Sequence, residues 1–200
     1  MAHAQLSILF GSRRRITGGS RKRRRTAGGQ PAIEGLEPRA MLAADDVLVG
    51  LSGGRVVLTL DPQGAAITNL STSYDAPSGQ LKITAATAGS LAMAAPIAGI
   101  SVDAVADTVT VDLNTIRKFS GLSITGGVKT DSVRIGPGGV NLAAIGRGAA
   151  AQGLVIDTGA GAEDSIAIAG PIAAKGAGGV SLTTQGEGVS HGILMASNVV

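Results

Sequence analysis

Three segments of the chain repeat one pattern: a glycine, an apolar-x-apolar triplet, a turn of small residues, then Asp with Ser or Thr and a second apolar-x-apolar triplet. They are GISVDAVADTVTV (99–111), GLSITGGVKTDSVRI (121–135) and GLVIDTGAGAEDSIAI (153–168), and a degenerate fourth begins in GVSLTTQGEG (179–188). Alternation of this kind is the period-2 signature of a strand. The intervals between unit starts fall in the ~20–45-residue range of solenoid repeats, whose units have too little apolar surface to fold alone and are stabilised by stacking. The expected fold is therefore all-β, a parallel β-helix or solenoid of short strands. Its inward set is Ile100, Val102, Val109, Val111, Leu122, Ile124, Val133, Ile135, Leu154, Ile156, Ile166, Ile168, Val180 and Leu182. Asp at the corners is expected to bond neighbouring backbone groups. The alternative is an antiparallel β-sandwich, which also alternates short strands with turns every ~8–12 residues.

The 31 glycines agree with frequent tight turns. With Phe10, Tyr74 and Phe119 as the only aromatics, the interior is expected to consist of Val, Ile, Leu and Ala. Further strands are expected where Val56, Leu58 and Leu60 alternate in RVVLTLD and where Leu81 and Ile83 alternate in GQLKIT, and a short helical turn within VNLAAIGRGAAAQG (140–153). Cysteine is absent, which excludes a disulfide staple, a thiolate metal site and a Cys nucleophile. The longest apolar run of the body, Leu91 to Ala98, is broken by Pro96 and falls far short of the ~20 residues that span a bilayer, so no transmembrane helix is expected.

Charge divides the chain. Residues 1–44 hold nine Lys/Arg against Glu34 and Glu37, whereas the remainder carries 8 Lys/Arg against 12 Asp/Glu. Residues 1–45 read as a basic leader too polar and Gly-rich to offset chain entropy, hence disordered, and residues 46–200 as the β-repeat domain. An arm this basic could bind nucleic acid, but no aromatic residues interleave its charges and the body adds no basic face, so a basic-armed nucleic-acid binder is the third reading. An ordinary export signal needs roughly 7–15 apolar residues after the basic region, and Glu34, Glu37, Pro38 and Arg39 occupy that place instead.

The run Leu36-Glu37-Pro38-Arg39-Ala40-Met41-Leu42, followed by small residues and preceded by Arg/Lys clusters, resembles the LEPR-XLL domain, an N-terminal element of large surface or secreted proteins of planctomycete bacteria. Leu36, Glu37, Pro38, Arg39 and Leu42 match that pattern, and Met41 stands where the first Leu of the pair belongs. The resemblance covers about residues 10–46. It implies a sorting or processing signal that engages export machinery, and an extracellular or cell-surface location.

DTGAGAEDSIAI (157–168) is similar to the Gly- and Asp-rich turns that bind calcium in β-rolls, which would make Asp157, Glu163 and Asp164 the metal ligands. A single copy without tandem register reads instead as solvated or corner-capping acids, so no cofactor is assigned. Asp103, Asp107, Asp112 and Asp131 fall at strand ends, where turn acids are expected; converging on one face, they would suit a degenerate or partial polysaccharide-acting β-helix enzyme, the second reading. His3 and His191 lack companions for a metal or triad site. No catalytic residue is assigned. The leading expectation is a non-enzymatic surface or secreted adhesin-like scaffold whose partners are matrix, polysaccharide or another surface protein. The apolar ending GILMASNVV, without a polar cap, reads as the mark of a truncated or small relative of a larger protein.

Overall fold

A computed structural model describes residues 47–87, 89–185 and 192–195, all within one compact unit. The sorting motif Leu36, Glu37, Pro38, Arg39, Met41 and Leu42 lies outside the described residues, as do His3 and His191.

The fold is all-β. Period-2 alternation produces β1 (Val47–Ser52), β2 (Arg55–Leu60), β3 (Ala66–Asp75), β4 (Gln80–Thr87), β5 (Leu91–Met93), β6 (Ile100–Asp103), β7 (Thr108–Asp112), β8 (Gly121–Thr125), β9 (Ser132–Ile135), β10 (Val140–Asn141), β11 (Gly153–Asp157), β12 (Ser165–Ile168), β13 (Ile172–Ala173), β14 (Val180–Thr183) and β15 (Gly192–Met195). Among the described residues a 3-10 turn, Gly176–Gly178, precedes β14. Two mixed sheets carry the core, one in the order β14-β11-β8-β2-β1-β5 and the other β15-β12-β9-β3-β4-β7-β6; β10 and β13 pair separately.

From β8 onward the chain visits the six-stranded sheet, the seven-stranded sheet and the β10–β13 pair in turn, and each strand from β11 lies parallel on its counterpart three strands earlier. Leu154 stands opposite Leu122 on one side and Val180 on the other, and Ile156 opposite Ile124 and Leu182. In the second sheet Ile166 lies between Val133 and Ile193, and Ile168 between Ile135 and Met195. These rungs bury Leu122, Ile124, Val133, Ile135, Leu154, Ile156, Ile166 and Ile168, each contributing about 1.5–3 kcal/mol by its removal from water. The last rung is more open: Val180 and Ile193 are each 44% exposed, against the inward position expected of Val180.

The other half is different. The unit expected at 99–111 is no rung of the stack but an antiparallel hairpin, β6–β7, attached antiparallel to β4 at the rim of its sheet. Val109 and Val111 are buried there, while Val102 is only partly so. The strands that precede β8 and β9 in the stack are β2 and β3, with Arg55 opposite Gly121 and Ala66 opposite Ser132. The segment from β4 to β7 is thus inserted between two rungs and makes the seven-stranded sheet mixed by pairing antiparallel, as the antiparallel β1–β2 pair does in the six-stranded sheet.

Two further expectations are corrected. Residues 140–153 form no helix: after β10 the chain turns at Asn141, whose Oδ1 accepts the Ala144 N–H at 3.1 Å, and Leu142 and Ile145 insert into the core. The interior is also not purely aliphatic, because Phe119 is its largest fully buried side chain. Phe119 closes a series of turns with Leu113 and Ile116, spaced three apart and all buried, which carries the chain from the inserted hairpin back to β8.

Candidate functional site

Three hollows surround the turn between β3 and β4. The first, about 340 Å³, is lined by Leu113, Asn114, Arg117, Arg147 and Gly148. The second, about 420 Å³, is lined by Ser73, Tyr74, Asp75, Gln80 and Lys82. The third, about 190 Å³, lies among Gln80, Gly99, Ile100, Ser101, Thr110 and Asp112. Gln80 belongs to the second and third, and a Cβ placed on Gly79 would sit 3.0 Å from Asn114 and 3.3 Å from the Arg147 guanidinium of the first. On the other side, a Cβ on Gly146 would lie 3.9 Å from the Tyr74 hydroxyl. The hollows therefore form one surface, built where the inserted β4–β7 segment meets the loop after β10.

Its polar groups are held by local turn chemistry. Asp112, at the end of β7, accepts the Asn114 N–H at 2.9 Å and the Thr115 hydroxyl at 2.7 Å. The Thr115 hydroxyl, then the Asn114 amide, hold the Asp112 carboxyl below its ordinary value of 3.8. With the turn fixed, Asn114 donates to the Ser78 carbonyl at 3.0 Å and accepts from the Arg147 guanidinium. The Ser78 hydroxyl donates to Asp75, so this carboxylate is also turned into its own turn. Replacing Thr115 by valine should raise the Asp112 titration midpoint toward the ordinary value. Carboxyl carbon chemical shifts followed against pH would detect the change; an unmoved midpoint would remove the hydroxyl from this role.

Arg147 stands on a loop fastened from beneath. Buried Gln152 donates through Nε2 to the Arg147 carbonyl at 2.6 Å and to the Ala149 carbonyl at 3.2 Å, and Ala149 N–H bonds the Phe119 carbonyl at 2.8 Å. Gln152 had no local sequence signal, because its partners become apparent only when the loop is folded over Phe119.

No protein-family model, curated protein or solved structure matches the chain.

The residues singled out from sequence are distributed otherwise. Asp131 and Asp164 are buried and occupy equivalent corners immediately before β9 and β12. Asp131 Oδ1 accepts the Ala65 N–H of the preceding rung at 2.8 Å, and its Oδ2 accepts the Gly127 N–H at 2.8 Å. Asp164 repeats the device, accepting the Asp131 N–H at 2.8 Å and the Gly161 N–H at 3.0 Å. Burial pushes the Asp131 carboxyl above 3.8, with the Asp164 charge adding to the rise and the two backbone donors opposing it. Asp164 is thereby the corner-capping acid of the expectation. Asp157 caps Gly159 N–H at 3.0 Å and meets the Gln185 amide at 3.2 Å, while Glu163 is exposed. Among the described residues no three of His, Asp and Glu are grouped to hold a metal.

Asp103 caps the Val105 and Ala106 N–H groups at 3.0 Å in the β6–β7 turn, and Asp107 occupies the same turn at φ 48°. β7 runs from Thr108 to Asp112, a backbone rise of about 13 Å that sets Asp112 at the far end of the strand from the turn of Asp107, whereas paired glycosidase carboxylates stand ~5–9.5 Å apart. Asp131 lies in the buried corner instead. Among the described residues no helix is long and apolar enough to cross a membrane.

Proposed function

We propose that the chain is a surface-delivered or secreted adhesin-like scaffold: a short β-solenoid formed by the parallel rungs from β8 onward, seated on β2 and β3, that holds a polysaccharide- or matrix-binding surface around the β3–β4 turn. The observation that carries this reading is the rung-on-rung register of Leu122, Leu154 and Val180 with Ile124, Ile156 and Leu182. A stack of this kind is rigid along its length and leaves its sides free for display. The three adjoining hollows, with one aromatic ring and several hydrogen-bonding side chains between them, have the composition of a carbohydrate contact. The LEPR-XLL-like segment before the fold supports delivery to the exterior.

Mass spectrometry of the N-terminus in fractionated cells tests this. A chain starting between Ala43 and Asp46, found in the envelope or medium, is the expected result. An intact Met1 in the cytosol would overturn it and favour the basic-armed reading.

A further inference from the structure

We propose that the hollow walled by Arg117 and Arg147 binds an oxyanion, the carboxylate or sulfate group of an acidic polysaccharide. The inference rests on the scaffold reading and names the class of ligand that it takes.

The body of the chain is acidic overall, yet two of its eight basic side chains face one hollow of about 340 Å³ whose lining contains no acid. The carboxylates nearest in the chain are engaged elsewhere: Asp112 by Asn114 and Thr115, Asp75 by Ser78. Arg117 has no hydrogen bond or ion pair among the described residues. Arg147 is oriented by a neutral acceptor, the Asn114 amide, which aims the guanidinium without discharging it. Two exposed guanidiniums lining one hollow leave two positive charges without a carboxylate partner there, and an anion between them would offer each planar fork acceptor oxygens. The arrangement is also prepared in advance. Gln152 fixes the backbone of Arg147 from below and Asp112 fixes the turn that carries Asn114. Little ordering is then left to oppose binding.

The neighbouring hollow suits the sugar that bears the anion. Tyr74 is half-buried against the core and lines that hollow with Gln80 and Lys82, and a Cβ on Gly146, the residue before Arg147, would lie 3.9 Å from its hydroxyl. A ring resting on Tyr74 places its neighbour's acidic group over Arg117 and Arg147.

The test measures binding of the full chain to polygalacturonate, dextran sulfate and neutral dextran at fixed ionic strength. It compares wild type with the R117A/R147A pair, with R117K/R147K, and with a leader variant carrying R23Q, R24Q and R25Q. Both arginines of the hollow are exposed, so melting temperatures should match wild type. The R117A/R147A pair should weaken binding roughly ten- to hundredfold, the worth of one or two charge-assisted hydrogen bonds. That loss should persist in the leader variant, and lysine should restore it only in part because it lacks the fork. Preference for polygalacturonate assigns a carboxylate, and preference for dextran sulfate assigns a sulfate. Unchanged binding in the R117A/R147A pair with loss in the leader variant would overturn the proposal, since the basic leader would then be the binder. Binding of neutral dextran alone would overturn it too and leave the scaffold reading standing, whereas failure of that reading shows in the cell fractions.

Discussion

Alanine at position 121 should destabilise the fold by about 2–6 kcal/mol, enough to leave a marginally stable domain largely unfolded at physiological temperature. Gly121 opens β8 with φ at +130°, a conformation that side chains rarely adopt, and a Cβ there would lie 2.0 Å from the Gly153 carbonyl oxygen of the next rung. Neither term can relax alone. Moving β8 away from β11 to admit the methyl breaks the parallel ladder that holds Leu122 on Leu154 and Ile124 on Ile156, while keeping the ladder leaves a contact far inside van der Waals range. Urea unfolding followed by circular dichroism gives the number. A change under 1 kcal/mol would mean that β8 and β11 do not approach as described. The matching position of the first rung is Arg55, which shows that the constraint comes from the neighbour above, not from the start of a strand as such.

Removal of the Asp131 side chain should cost about 1–4 kcal/mol, because alanine leaves the buried Ala65 N–H without its acceptor, at about 1–3 kcal/mol, and frees the part-buried Gly127 N–H at a smaller cost. Asparagine keeps the shape but turns one acceptor into a donor facing an N–H, so Asp131→Asn should lose roughly half as much. Its pH profile is the sharper test. The folded carboxyl holds its proton more tightly than the unfolded one, whose value is 3.8. The stabilisation that goes with protonation is therefore complete below 3.8 and is lost as pH rises through the raised folded value. Asp112 has the opposite sign: its contribution is present above 3.8 and is lost as pH falls through its lowered value. The two partly cancel in wild type. Unfolding free energies of Asp131→Asn across pH 3–7 should show the Asp112 trend without the opposing decline. A profile parallel to wild type would show that Asp131 does not titrate with folding.

The strands within 121–135 and 153–168 are legible in the sequence because each segment carries its own marks, a glycine where the backbones touch, alternating aliphatics and an acid at the corner, marks that fit a solenoid and sandwich-like sheets alike. The hairpin at 99–111 bears the same marks yet pairs antiparallel. Glycine, alternation and Asp specify strand–turn–strand and are indifferent to whether the second strand turns back on the first or crosses to the opposite sheet. What decides the matter is the partner of β8, and Arg55 and Ala65 in that earlier rung lack both the glycine and the acid. Phe119 could have been found from its spacing with Leu113 and Ile116, but its basic neighbours Arg117 and Lys118 disguised the pattern. Tyr74, Gln80, Asn114, Arg117 and Arg147 come from four separate stretches and meet only through the insertion, so no local motif announces them.

The interposed β4–β7 segment also sets the order of assembly. Its antiparallel partners are close in sequence and meet over short loops, whereas β2 must wait for β8 across the whole excursion, a closure that costs more chain entropy and proceeds more slowly. The hairpins should gain protection from hydrogen exchange first and the β2–β8 seam last. A protease reaching the chain during synthesis would therefore find its opening there.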